Sequence, residues 1–223
     1  MSRSSHKERV LRIVSLLRSG TKNMAKPAAC EVVRLYGKNP FLVLISCLLS
    51  LRTKDTVSLP ASIRLFSLAQ TPKSFLFLDR SLIEKLIYPV GFYRQKAQQI
   101  HALCAQLLEH YQGTVPTTKE GLLLLDGVGP KTANLVLGQG FGIPAICVDT
   151  HVHRISNRLG LVTTQTPEET ERELSKIVPK QYWIELNTLL VMWGQNQCTP
   201  LSPWCSSCPL KGLCPQEGVK KNR

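Results

Sequence analysis

Acidic side chains are scarce in this 223-residue sequence: 15 Asp and Glu stand against 28 Lys and Arg, for a formal charge of +13. An excess of that size argues against acidic-surface functions and for a polyanionic partner, because every phosphate neutralised releases condensed counterions. The charge is not gathered in one tail. Residues 1–35 carry +6, residues 36–143 carry +5, residues 144–210 carry −1, and residues 211–223 carry +3. Long apolar runs are also missing. No stretch reaches the roughly eighteen residues that a membrane span requires, and the longest apolar run, from Pro40 to Leu51, reads as a buried helix. Strand-like alternation is nearly absent, as are internal repeats and low-complexity linkers. Cysteine is present, yet Cys30, Cys47, Cys104 and Cys147 each lie singly among apolar neighbours, as small hydrophobes in a reducing compartment would. Residues 1–20 are basic and serine-rich in the manner of a transit peptide, but the spacing of Val10, Ile13, Val14 and Leu17 fits an amphipathic first helix.

What remains is helical periodicity punctuated by glycine and proline. Helices are expected over 31–36, 41–51, 54–66, 81–87, 94–111, 119–124, 131–137, 151–159, 167–177 and 183–197, with Pro72, Pro89, Gly91, Gly113, Gly127, Gly129, Pro144 and Gly160 between them. The fold class is therefore all-α, and only the residues from Glu217 onward read as frayed. The most informative stretch runs Leu122-Leu-Leu-Leu-Asp-Gly-Val-Gly-Pro-Lys-Thr-Ala-Asn134. One helix ends, Gly127-Val128-Gly129 permits a tight backbone path, and Pro130 suits the first position of the next helix, where its missing N–H costs nothing. N–H groups left uncovered at that helix start form a phosphate site. This is the helix-hairpin-helix pattern, about residues 119–138, which grips a DNA backbone without reading sequence. A plain helix–turn–helix connection would need only the glycines, not the whole motif.

Leu125 to Asn134, together with Ala145-Ile-Cys-Val-Asp-Thr-His-Val-His-Arg154, resembles the core of the endonuclease III family. Leu48-Leu-Ser-Leu-Arg-Thr-Lys-Asp55 and Gly91-Phe-Tyr-Arg-Gln-Lys-Ala97 resemble its DNA-facing loops, and the similarity runs from about Val10 to Cys214. The resemblance implies two helical domains with a DNA-binding cleft between them. Residues 33–143 would form a six-helix domain carrying the hairpin, and 1–32 plus 144–223 the second domain. It implies base excision repair by a DNA glycosylase acting on oxidised or damaged pyrimidines, with lyase nicking of the abasic strand. Lys131 falls on the position of the catalytic lysine and Asp149 on that of the catalytic aspartate. A carboxylate can stabilise the charge that develops on the sugar, and an unprotonated amine can attack C1′ to form a Schiff base. Taken singly, Lys131 also fits a phosphate contact and Asp149 a helix cap. Adenine glycosylases of this fold lack an amine at the Lys131 position and use an extra early glutamate; here Asp55 is the only carboxylate of that loop.

A flipped-out base leaves a void in the duplex. By the resemblance, Arg52 and Phe92 would fill it, Arg52 standing where the family has glutamine; core packing is the plain alternative for Phe92. DNA contacts are thus expected from Arg52, Phe92, Gly127, Val128, Gly129 and Lys131. Cys198, Cys205, Cys208 and Cys214 form C-x6-C-x2-C-x5-C. Four thiolates can hold zinc or an iron–sulfur cluster. Only Cys205 and Cys208 make a close pair, whereas structural zinc sites show two, and the spacing matches the family's [4Fe–4S] motif. The loop between Cys198 and Cys205 carries no charge where the family has basic residues, which leaves phosphate contact to Lys211, Lys220, Lys221 and Arg223. His151 and His153 point apart on a helix and make no metal pair. Trp193 and Trp204 read as packing residues. The expected partner is duplex DNA bearing damaged pyrimidines or abasic sites, bound by a monomer with no membrane association. A bacterial protein of this kind would lie in the cytoplasm on the nucleoid, a eukaryotic one in nucleus or mitochondrion.

Overall fold

The computed structural model describes the backbone of residues 3–223 and side chains from Lys7. Every regular element among the described residues is helical. They are α1 (Arg3–Thr21), α2 (Ala28–Tyr36), α3 (Pro40–Ser50), α4 (Asp55–Phe66), α5 (Pro72–Leu76), α6 (Arg80–Ile87), α7 (Tyr93–Tyr111), α8 (Lys119–Leu123), α9 (Pro130–Leu135), α10 (Thr150–Arg158), α11 (Pro167–Ile177) and α12 (Trp183–Asn196). A π-helical stretch, Val136–Phe141, continues α9, and short 3-10 turns occupy Lys180–Tyr182 and Lys211–Leu213. None of these helices is long and apolar enough to cross a membrane.

The chain divides into two compact units: residues 27–143, and residues 1–26 with 144–223. The expected boundary at 32/33 would cut α2, which packs on α3 and α4 and so belongs with the middle unit. At the centre of that unit lies α3. Asn39 caps it, accepting from the N–H groups of Phe41 and Leu42 at 3.1 and 3.2 Å, and Pro40 takes its first turn. Residues Phe41 through Leu49 are all buried, so α3 is apolar on every face, as a central helix must be. Gly140 in the π-helical stretch allows that stretch onto the start of α3; a Cβ there would stand 2.7 Å from the Pro40 Cα. Where a uniform helix over 131–137 was expected, the hydrogen bonding changes from α to π at Val136.

In the other unit, Val10, Ile13, Val14 and Leu17 of α1 form one buried stripe. They meet Val152 and Ile155 of α10, Leu174 of α11, and Leu186, Leu190 and Trp193 of α12. Gly20 lies flat on the Trp193 indole, where a Cβ would come within 2.6 Å of the ring. Trp193 is thus a packing residue, as expected. Cys47, Cys104 and Cys147 are buried, but Cys30 is only half-buried.

Candidate active site

The helix-hairpin-helix turn is built between α8 and α9. Thr118 caps α8 by accepting from the Gly121 N–H at 3.1 Å. Gly127 sits at φ +76°, a conformation that a side chain disfavours, and the Val128 side chain is buried. Gly129 has ordinary extended dihedrals, φ −93° and ψ 176°, and a Cβ there would meet nothing within 4 Å. The first glycine serves the turn; the second leaves open space in front of the helix start. Two glutamines of α7, seven residues apart on one face, hold the turn in place. Gln106 donates to the Leu124 carbonyl at 2.9 Å and accepts from the Asp126 N–H at 3.0 Å, while Gln99 reaches the Asp126 carbonyl at 3.4 Å. Lys131, the second residue of α9, is exposed beside this turn. Its charge reaches the buried Cys47 thiol, which burial pushes up to about 12 and which Lys131 draws back.

In the same unit the two loops of Arg52 and Phe92 come together. Both residues lie in the left-handed region, at φ 53° and 57°, although neither is glycine. The Arg52 guanidinium stands over the Phe92 ring at 5.8 Å, and Phe92 is 56% exposed, which rules out core packing. Thr53 Oγ1 accepts from the Gly91 N–H at 3.1 Å, tying one loop to the other.

Asp149 belongs to the other unit, where it caps α10. Its Oδ1 accepts from the N–H groups of His151 and Val152, both at 2.9 Å. The carboxylate therefore sits at the positive end of α10, in a position that two backbone bonds fix. Arg154, within electrostatic reach of Asp149, bonds the carbonyls of Gly194 and Cys198 at 3.2 and 2.8 Å and the His151 ring at 3.1 Å. His153 faces elsewhere, toward Thr170 Oγ1 at 2.7 Å.

One turn beyond Arg154, the buried Arg158 organises the cysteines. It donates to Cys198 Sγ at 3.3 Å, to the Thr199 carbonyl at 2.7 Å and to the Pro200 carbonyl at 2.6 Å. Its own carbonyl accepts from the Cys214 thiol at 3.2 Å. Cys198, Cys205, Cys208 and Cys214 all line one small cavity whose other walls are largely apolar, among them Ile155, Leu159, Trp193 and Leu210. Burial pushes the thiols of Cys205, Cys208 and Cys214 above the ordinary range, and neighbouring cysteines push the same way. The residues from Glu217 onward, expected to fray, are pinned instead. The Arg223 N–H donates to the Pro203 carbonyl at 2.8 Å, its carbonyl accepts from the Ser206 N–H at 2.9 Å, and its guanidinium lies 4.1 Å over Trp204. Arg223 also donates to the Ser202 carbonyl, so this cation is engaged with its own loop.

Residues 45–180 match the HhH-GPD superfamily of base excision DNA repair proteins. Endonuclease III of Thermotoga maritima is 46% identical over 196 residues, 86% of this chain and 92% of that one. The chain belongs to the endonuclease III family. Endonuclease III-like protein 1 of Bos taurus is 42% identical over 88% of this chain, which spans 64% of that longer protein. Two solved structures, a non-covalent endonuclease III–DNA complex and a trapped endonuclease III–DNA covalent intermediate, superpose with TM-scores of 0.81 at 36% identity. They cover 94% of this chain and 95% and 96% of theirs. The all-α helix-hairpin-helix architecture is thereby the endonuclease III fold. Sequence reasoning missed Arg154, Arg158 and Lys96, whose roles depend on carbonyls far away in the chain. The four-residue spacing of Arg154 and Arg158 puts both on one face of α10, but their partners at Cys198 lie 44 and 40 residues later.

Proposed function

We propose that this endonuclease III family protein is a bifunctional DNA glycosylase and abasic-site lyase acting on oxidised or damaged pyrimidines, with Lys131 and Asp149 as catalytic residues. It works as a monomer on duplex DNA. The setting is the bacterial cytoplasm, or nucleus or mitochondrion in a eukaryote. One observation carries the reading: an exposed lysine stands two residues past the hairpin glycines, in a fold whose 36%-identical relative was captured covalently on DNA.

The hairpin amides at Gly127 to Gly129 and the surrounding positive charge hold the phosphate backbone, and Arg52 and Phe92 enter the stack as the damaged base leaves it. As the glycosidic C–N bond breaks, the base departs with the bonding pair and takes up a proton; the Asp149 carboxylate stabilises the positive charge left on the sugar. Lys131 Nζ bonds C1′ and loses a proton, and ring opening gives the imine. Loss of a C2′ proton then expels the 3′ phosphate by cleavage of the C3′–O bond, and water releases the lysine.

The four cysteines fit a [4Fe–4S] cluster. Their donor set is all sulfur, and all four line one largely apolar cavity. When bound, the cluster would cross-link the loop after α12 to the segment ending at Cys214. Purified protein is expected to contain iron and absorb broadly near about 400 nm; stoichiometric zinc without iron in anaerobic preparations would overturn the assignment.

Borohydride trapping on abasic or oxidised-pyrimidine duplex tests the mechanism. Lys131→Gln should bind DNA but neither trap nor nick. Asp149→Asn keeps an oxygen for the α10 cap, so it should fold normally while base removal falls by about 10²-fold or more. Wild-type trapping by Lys131→Gln would sink the reading.

A further inference from the structure

Lys96 lies in the segment Gly91-Phe-Tyr-Arg-Gln-Lys96, where a lysine beside DNA would ordinarily be assigned to phosphate. The structure places it elsewhere. Lys96 is only 6% exposed, and its ammonium points inward beneath the two loops. Nζ donates to the Leu49 carbonyl at 2.9 Å, to the Leu51 carbonyl at 2.6 Å, and to Thr53 Oγ1 at 3.3 Å. An ammonium has three protons, and all three are engaged. Leu49 and Leu51 supply carbonyls from the C-terminal end of α3, where backbone acceptors lack helical partners and the helix dipole favours a cation. Thr53 Oγ1 meanwhile takes the Gly91 N–H, so the first loop, the second loop and α7 meet at one charged centre. The fit is close: a Cβ on Gly91 would stand 3.1 Å from the Arg52 carbonyl. Arg52 and Phe92, immediately beside this centre, both hold left-handed backbone that non-glycine residues adopt only when their surroundings enforce it.

We infer that Lys96 is a positioning residue that locks the Arg52 and Phe92 loops into the paired geometry needed to hold a base out of the duplex, without touching DNA itself. The inference rests on the wedge role proposed for Arg52 and Phe92. It predicts a selective defect. Removing the latch should slow reactions that require a paired base to be extruded and spare reactions in which no base must leave the stack.

The test uses the full chain and Lys96→Met, which keeps length and packing but carries no donors. The substrates are one duplex with thymine glycol opposite adenine, bearing 2-aminopurine beside the lesion to report unstacking, and one with a preformed abasic site. Base removal from the paired lesion should fall about tenfold, and the 2-aminopurine signal should fall with it, since a buried bond to a charged donor is worth roughly that factor or more. Nicking at the abasic site should stay within about twofold of wild type. Lys96→Arg, which keeps the charge, should recover part of the loss. Thr53→Val folds without burying an unpaired ammonium. It should show the same selectivity at about threefold, and it decides the matter if Lys96→Met proves unstable. Equal losses on both substrates, or an undiminished 2-aminopurine signal, would overturn the positioning role. Failure of the wild-type protein itself on both duplexes would instead overturn the functional reading, and the inference with it.

Discussion

Gly127 and Gly129 look equivalent in the sequence, but their dihedrals separate them. At Gly127 a side chain would hold φ +76° and strike the Gln99 amide; at Gly129 it would have ordinary dihedrals and open space. Gly127→Ala should therefore destabilise the fold by ~1 kcal/mol or more. Gly129→Val should leave the melting temperature almost unchanged yet weaken binding to every duplex alike, because the hairpin meets backbone and no base edge. Melting curves beside binding titrations on unrelated sequences check both. A stability loss at Gly129, or a sequence-dependent binding loss, would contradict this division of labour.

Among the elements, α7 does three jobs at once. Gln99 and Gln106 steady the hairpin, the helix packs on α5 and α6, and Lys96 binds the end of α3. Burial lowers the Lys96 amine from its ordinary 10.5 to about 8. In the unfolded chain the group keeps its proton up to about 10.4. Between those values the unfolded state binds a proton that the folded state lacks, so this residue's contribution to stability rises with pH across that window and is flat below about 8. Thermal melts of wild type and Lys96→Met at intervals from about pH 7 to 11 should show wild type gaining on the variant above pH 8; a constant difference would refute it. The hairpin was legible because its chemistry is local: glycine freedom, proline at a helix start, and the lysine that follows. Lys96 and Arg158 were not, because nothing within a few residues reveals an ammonium feeding on carbonyls 45 and 47 positions away, or a guanidinium feeding on carbonyls 41 and 42 away. The same reasoning covers Arg223, whose backbone pairing with residues 203 and 206 obeys no periodicity. The expected helix stops at residue 137, within the π-helical stretch Val136–Phe141, and no local pattern distinguishes π from α hydrogen bonding.

At the scale of the whole molecule, charge governs encounter with DNA. With +13 spread over both units, affinity for undamaged duplex should fall steeply with salt, with log K against log salt declining by roughly 0.9 for each phosphate contacted. Titrations at several salt concentrations should give a slope of several contacts; a slope near zero would contradict a phosphate-dominated grip.

The order of elements along the chain also has a consequence for synthesis. The apolar stripe of α1 is covered by α10, α11 and α12, so its partners lie more than a hundred residues downstream. At ribosomal rates of about 5–20 residues per second, Val10, Ile13, Val14 and Leu17 are made roughly 9–37 s before α12 is complete and able to cover them. Residues 27–143 can meanwhile condense around α3, since α2, α4, α7 and α9, which pack against it, lie within that span. The nascent protein is thus a folded middle trailing a sticky first helix, and in that interval the first helix, not the DNA-binding machinery, is what a chaperone would recognise.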